Sequence, residues 1–424
     1  MLREEPFNHR RGALVCSNWT VHRTFGGGGP TSGRGMATQR RVDTIDFWRG
    51  AVLVAILVDH IPGNLLESLT PRNYGFSDSA EAFVFLSGVS VGLVYYRKVM
   101  QADMVGVIRR CLGRAFRIYG VHIGLTCCAI AVFAAAYWLS AVPNLIEADG
   151  RHFVFHKPLR GTLGVLILSE QLGYFNILPM YIVLMLLSPL MLAMARRSLT
   201  LLLAVSAVIY AAARFFGLAL PNWPESGTWF LNPFAWQLIF SIGIVAGILW
   251  RDRPVPRFTF LLVLSGIVLV LAGISVTDGL WIVPGLHDAV FQRLDILKQN
   301  LGLARMLHFL MVAYLISQVP LFAAIARTVP GKELQRLGRH SLPIFAFGSI
   351  FSCLGQAGMR LVDLHFSGGI HVLGMLYTLF GVAGLFLLAR YLEWTKRVVR
   401  QVKPVGNSPS GASPVSLHSS FSLQ

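Results

Sequence analysis

The residues best suited to chemistry lie in one apolar stretch near the start of the chain. Asp46, Arg49, Asp59 and His60 stand within about twenty residues, which is the length of a membrane span. A charged side chain near the centre of a bilayer costs about 2.5–3.5 kcal/mol to insert. A segment that served only as an anchor would not contain these groups, so we predict that this stretch is a functional helix.

Arg49 and His60 lie on the same side of that helix. Eleven residues separate them, and at about 100° and 1.5 Å per residue they fall within about 20° of each other and about 16 Å apart along the axis. Asp46 and Asn64 are close to the same line, which predicts a polar stripe along a path across the membrane. Asp59 points about 100° away from His60, so its partner is expected on another helix.

The imidazole of His60 can have either of two roles. A neutral imidazole can act as a general base, because its unperturbed pKa is about 6.5. A buried imidazole can equally be a structural group that is hydrogen-bonded to the backbone or to a neighbouring helix.

Composition indicates an all-α polytopic membrane protein. Of the 424 residues, 54% are hydrophobic and 13% are charged, and the mean hydropathy is +0.59. The net charge of +17 would fit nucleic-acid binding. However, the Lys and Arg residues stand in short loops between apolar runs, which is typical of membrane orientation, so nucleic acid is excluded as a partner.

The hydropathy pattern predicts a bundle of about ten transmembrane helices, at residues 45–64, 79–97, 108–139, 176–195, 198–219, 233–250, 258–277, 302–324, 340–361 and 369–392. A further apolar piece at residues 159–169 is too short to cross and is a candidate re-entrant segment. Residues 278–300 are too polar to span a membrane.

The basic residues also predict orientation. Most of them lie in loops on one side, which is therefore cytoplasmic, and both termini fall on that side. His60 then lies in the outer half of the first span, and Arg49 lies near the inner face. Residues 1–39 are predicted to be a disordered extension, with Met36 as a candidate start; residues 40–395 form the membrane domain, and residues 396–424 are a disordered cytoplasmic tail.

Further polar residues stand at the outer ends of other predicted spans. Glu81 is a candidate buried carboxylate, although Asp78–Glu81 also has the pattern of a helix start, with acidic residues at the N-terminal dipole. Arg305 and His308 are three residues apart and share a helix face. Arg305 is a candidate ion-pair partner for Asp59 or Glu81.

Several separate motifs, in order along the chain from about residue 40 to 390, resemble those of the OpgC proteins. They are Ile45–Gly50, Asp59–Asn64, Arg72–Glu81, Phe83–Gly88, Asn176–Tyr181, Asn232–Gln237 and Leu337–Leu342. That family is associated with succinylation of osmoregulated periplasmic glucans in Gram-negative bacteria. It is similar to a wider group of transmembrane acyltransferases that have an Arg-Gly then His pattern on the first helix.

The resemblance implies a membrane O-acyltransferase of the bacterial inner membrane, similar to an O-succinyltransferase. It implies His60 as the catalytic base, with Asp59 beside it. Arg49 and Asp46 are then expected near the phosphates of a cytoplasmic acyl-CoA. Arg305 becomes a candidate for binding the free carboxylate of a succinyl group, because Arg binds carboxylates in a bidentate way. His308 and Glu81 are further candidates for substrate binding.

The expected partners are acyl-CoA as the donor substrate, a periplasmic glucan as the acceptor, and the lipid bilayer. Neither a metal ion nor a cofactor is expected, and homo-oligomerisation is left open. The alternative function is a transporter of a glycan or an acyl carrier without covalent transfer, since buried Arg, Asp and His are common in transporters too. A transporter built from inverted repeats is expected to have a pair of matched broken helices. The sequence shows no such pair, which favours the enzyme over the transporter.

Overall fold

The fold is all-helical. A computed structural model of the chain describes residues 32–251, 253–277, 283–363 and 370–402, and this part of the chain contains no β-strand. Its helices are α1 (Ser32–Asp59), α2 (Ser79–Met100), α3 (Met104–Ser140), α4 (Asn144–Glu147), α5 (His152–His156), α6 (Pro158–Leu166), α7 (Ile177–Arg197), α8 (Leu199–Phe215), α9 (Pro233–Leu249), α10 (Thr259–Val276), α11 (Leu286–Arg293), α12 (Leu303–Gln318), α13 (Pro320–Ile325), α14 (Val329–Arg339), α15 (Ser341–Asp363) and α16 (Ile370–Val402).

Among the described residues, six helices are long and apolar enough to cross a membrane: α2, α3, α7, α10, α15 and α16. Three further apolar helices, α8, α9 and α12, are shorter. Each of the ten predicted segments contains a helix. The apolar piece at 159–169 is the nine-residue α6, and the polar stretch at 278–300 contains only the eight-residue α11 among its described residues.

Two of the predicted segments differ in extent from their helices. The segment 302–324 is two helices, α12 and α13, which are separated at Val319. Pro320 explains the break, because proline disfavours a helical backbone in the residue before it. The first helix, α1, ends at Asp59 rather than at residue 64, and it begins at Ser32, inside the predicted extension. Residues 1–31, which are most of the predicted extension, and residues 403–424, which are most of the predicted tail, lie outside the described residues.

The early end of α1 corrects the predicted polar stripe. Pro62 follows closely and has no N–H with which to continue the helix, and Gly63, with a φ of +73°, then turns the chain away. Asn64 therefore does not continue the line of Arg49 and His60. Its amide instead donates to the carbonyl groups of Val58 and Ile61, at 3.0 and 2.5 Å.

Glycines allow the helices around α1 and α2 to approach closely. A Cβ on Gly88 of α2 would lie 2.1 Å from the carbonyl oxygen of Phe240 on α9. Between α1 and α14, a Cβ on Gly338 would lie 1.9 Å from the carbonyl oxygen of Asp46. Close contact between small residues is how helices associate in a bilayer. It fixes the rotation of α1, and hence the direction of its polar side chains.

Candidate functional site

A cavity of about 480 Å³ lies at one end of the bundle. Its wall is formed by the C-terminal end of α1, the α1–α2 connection with the start of α2, the last third of α3, the segment before α7 and the part of α15 from Ile344 to Gln356. Single residues of α11, α12 and other connections complete it. Asp59 and His60 both line it. The cavity therefore collects side chains that are far apart in the sequence around the end of α1.

The imidazole of His60 is held by the backbone of its own helix. Its Nδ1 lies 2.6 Å from the carbonyl oxygen of Ile56. Because a carbonyl can only accept a hydrogen bond, Nδ1 carries the proton, and in the neutral ring Nε2 is unprotonated. The backbone carbonyl of His60 accepts a hydrogen bond of 3.1 Å from the amide of Gln356 on α15. In this tautomer, Nε2 is the nitrogen that can accept a proton.

Asp59 also faces the cavity but has no ion pair with a basic side chain in the described part of the chain. Its Oδ1 is buried and has no hydrogen-bond partner among the described residues. A buried carboxylate oxygen without a protein partner is available to a hydroxyl or a water molecule.

An ion cluster of four residues lies at another part of the wall, and three of its members, Asp78, Lys298 and Arg305, line the cavity. Arg305 donates to Glu81 at 2.5 Å and to Asp78 at 2.7 Å, and Lys298 donates to Asp78 at 2.6 Å. Of the partners predicted for Arg305, the structure therefore brings it to Glu81 and not to Asp59. Burial raises the pKa of Asp78, but Lys298 and Arg305 outweigh it and hold that pKa well below its ordinary value.

The same carboxylates start α2. Asp78 is the N-cap and accepts from the amide of Ala80 at 2.8 Å, while Glu81 accepts from the amide of Asp78 at 2.8 Å. This reciprocal pair is a capping box. The helix start predicted from Asp78–Glu81 is thus confirmed, and the same two side chains also bind Arg305.

His308 is separated from Arg305 although both are on α12. Its Nδ1 lies 2.8 Å from the hydroxyl of Ser77, and its ring packs against Gly75, where a Cβ would lie only 2.4 Å away. His308 lies behind the segment 75–77, whereas Arg305 lines the cavity.

Arg49 and Asp46 lie near the middle of α1, ten and thirteen residues before its end at Asp59. Arg49 donates to Ser90 at 2.5 Å and pairs with Asp46 at 3.5 Å. It lines a second, smaller cavity of about 30 Å³ together with Arg114 and Tyr181, whose side chains are 2.6 Å apart. Arg49 and His60 therefore open into different cavities.

Phe345 of α15 contributes to the walls of both cavities. Among the described residues it is the one lining residue that the two cavities share, so their walls adjoin at Phe345.

Sequence reasoning missed several residues of the two cavities. Arg72, Arg151 and Lys298 line the larger cavity and Arg114 lines the smaller one. From the sequence they counted as orientation charges, with Arg72 also the first residue of a family motif, and none was a candidate site residue. Their signal was present, because a basic residue beside a polar motif such as Arg72–Glu81 differs from one in a plain loop. Gln356 gave no signal, because its role depends on where α15 packs.

A family model described as OpgC protein matches residues 40–397. No curated protein and no solved structure matches the chain. The matched region includes α1 from just before Asp46, both cavities and all the candidate residues above. Because the match spans most of the 424 residues, the chain belongs to the OpgC protein family.

Proposed function

We propose that the chain is a membrane O-acyltransferase that transfers a succinyl or similar acyl group from acyl-CoA to a hydroxyl group of a periplasmic glucan. The observation that carries this proposal is the backbone-held imidazole of His60 in the wall of a cavity of about 480 Å³. Membership of the OpgC family supports an acyl transfer at a coarse level.

In the proposed reaction, Nε2 of His60 removes the proton of the sugar hydroxyl as its oxygen attacks the thioester carbonyl. The carbon–oxygen bond forms, the carbon–sulfur bond breaks, and the imidazolium returns its proton to the departing thiolate. The products are an ester and CoA thiol. The basic side chains of the cavity favour the negative charge that develops on the carbonyl oxygen, and Asp59 accepts a hydrogen bond from the acceptor sugar.

The donor is proposed to enter from the cytoplasmic side. Arg49, oriented by Asp46 and Ser90, and the neighbouring Arg114 would bind CoA phosphates there. An extended pantetheine arm is on the order of 15–20 Å, which is comparable with the rise of about 16 Å from Arg49 to His60. The thioester would then pass Phe345 to reach the imidazole.

The remaining candidates are proposed to shape the acceptor side. Arg305 lines the cavity, and Glu81 behind it pairs with Arg305 and anchors the start of α2. His308 holds the segment 75–77 against that wall through Ser77.

The proposed topology has ten crossings of the inner membrane and both termini in the cytoplasm. A reporter that is active only in the periplasm should be silent when it is fused after Arg400. The same reporter should be active in the loop near Glu225, because few basic residues flank that loop. Fusions within the cytoplasmic loop at Arg196 serve as a second silent control, and the reverse pattern would contradict the topology and the donor path.

Purified protein in liposomes separates the enzyme from a transporter. With labelled succinyl-CoA inside and glucan outside, we expect label to appear in an ester bond to the glucan. Vesicles that contain succinate and free CoA in place of the thioester provide the control, because no acyl transfer can start from them. Label that crosses the membrane without becoming bound to glucan would instead support the transporter.

A further inference from the structure

The wall of the larger cavity has more basic than acidic side chains. Arg72, Arg151, Lys298 and Arg305 line it, whereas Asp59 and Asp78 are its only acidic residues in the part of the chain that the structure describes. An enclosed wall with an excess of cations attracts an anionic group. Which cation would receive that group depends on which charges the protein itself has already matched.

Three of the four cations are matched or open to solvent. Arg305 contacts two carboxylates, those of Glu81 and Asp78. Lys298 is 2.6 Å from Asp78. Arg72 is 3.1 Å from Glu67, and 46% of its side chain is exposed, so water and salt screen its charge.

Arg151 differs from these three residues. It lies in the α4–α5 connection, and its side chain is only 5% exposed. Its Nε donates to the carbonyl of Leu145 at 2.8 Å, and Nη2 donates to that of Asn144 at 3.4 Å. Backbone carbonyls orient a guanidinium without cancelling its charge. Its one acidic partner in the described part of the chain, Asp149 at 3.2 Å, is 44% exposed.

The guanidinium of Arg151 also packs over an aromatic ring and has N–H donors beyond those used in its contacts. It lies 4.0 Å from the centre of the Phe133 ring, which is itself part of the cavity wall. A guanidinium has five N–H groups, and the three contacts to Leu145, Asn144 and Asp149 leave two of them uncommitted. A rigid, desolvated guanidinium with two remaining donors is suited to bidentate binding of a carboxylate.

We propose that Arg151 binds the free carboxylate of a dicarboxylic acyl group and so selects the succinyl class of donors over neutral acyl groups of the same length. This inference rests on the proposed acyl transfer. It gives to Arg151 the contact that the sequence suggested for Arg305, whose charge is matched by Glu81 and Asp78. Arg151 acts on specificity, while His60 remains the base.

The test compares succinyl-CoA with butyryl-CoA, which has the same number of acyl carbons but no charge. In Arg151→Gln, kcat/KM for succinyl-CoA should fall relative to butyryl-CoA by about 10- to 150-fold, as expected for loss of hydrogen bonds to a charged group. Arg151→Lys should recover part of the ratio. Arg72→Gln, which removes another cavity cation, is the matched control and should keep the wild-type ratio.

Asp149→Asn provides a test that leaves the buried guanidinium in place. Asp149 has a φ of +54°, and Asn tolerates this left-handed backbone. Removing the acid releases Arg151 from its only anionic partner among the residues that the structure describes, so the preference for succinyl-CoA should rise by about two- to fivefold, in keeping with the weak effect of exposed ion pairs. This variant decides the question if Arg151→Gln does not assemble.

An equal fall for both donors in Arg151→Gln would mean that the residue is only structural, and would overturn the proposal. A folded Arg151→Gln protein that kept the wild-type kcat/KM for both donors would also overturn it. If the wild-type protein transferred neither acyl group to glucan, the proposed function would fail and this inference with it. Wild-type transfer with an unaltered ratio in the variants would overturn the role of Arg151 alone.

Discussion

Replacing His60 by Asn is expected to lower the rate of acyl transfer by about 10²- to 10⁴-fold, the usual contribution of a general base, while the protein still assembles. An Asn side chain can still donate to the carbonyl of Ile56, as Nδ1 of His60 does, so the end of α1 should be preserved. It has no nitrogen that can accept a proton near neutral pH. The rate of glucan acylation at saturating acyl-CoA measures the effect, with assembly followed by gel filtration in detergent.

His371→Asn is the matched control for this prediction. His371 also hydrogen-bonds a backbone carbonyl of the α1–α2 connection, that of Gly63 at 3.0 Å, but it is exposed and does not line the cavity. It should retain wild-type turnover. If His60→Asn stayed folded with near-wild-type turnover, the imidazole would be structural, and the base would have to be sought at Asp59, the other titratable group of α1 in the cavity wall.

Replacing Arg305 by Met should destabilise the protein by about 3–5 kcal/mol, because it leaves the carboxylate of Glu81 buried without its cation. Met keeps much of the bulk of the side chain, so the loss reports the missing charge rather than a cavity. Chemical unfolding in detergent micelles, followed by tryptophan fluorescence, gives the change in the free energy of unfolding.

Adding Glu81→Gln to Arg305→Met should recover much of this loss. The Gln carbonyl can still accept the amide of Asp78 in the capping box, and no buried charge remains unpaired. Arg72→Met provides the control and should cost about 0–1 kcal/mol, since its pair with Glu67 is exposed. A double variant no more stable than Arg305→Met would show that Glu81 and Arg305 are not energetically coupled.

Much of the local structure could be predicted from the sequence. Apolar runs depend only on neighbouring residues, and each of the ten predicted segments contains a helix. The start of α2 could also be predicted, because the capping box of Asp78 and Glu81 lies within four positions. Family membership followed from short motifs and is confirmed by the match to residues 40–397.

The ends of helices were harder to predict. An apolar run does not show where the backbone leaves the helix, and Pro320 and the turn at Gly63 fix those points. The ends matter for the site, because the turn after Asp59 removes Asn64 from the polar stripe. His60 remains at the end of that stripe, one residue beyond the helix.

The sequence by itself determined that the chain is helical and apolar, and which polar residues lie on the first helix, because these properties arise within a few turns of the chain. Only the tertiary structure decided the partners of those residues. Arg305 meets Glu81 across more than two hundred residues of sequence, and Arg151 reaches the cavity from a connection with no motif of its own. Such contacts depend on the rotation and tilt of each helix, and in a bilayer these are set by close packing, as at Gly88 and Gly338, rather than by hydropathy.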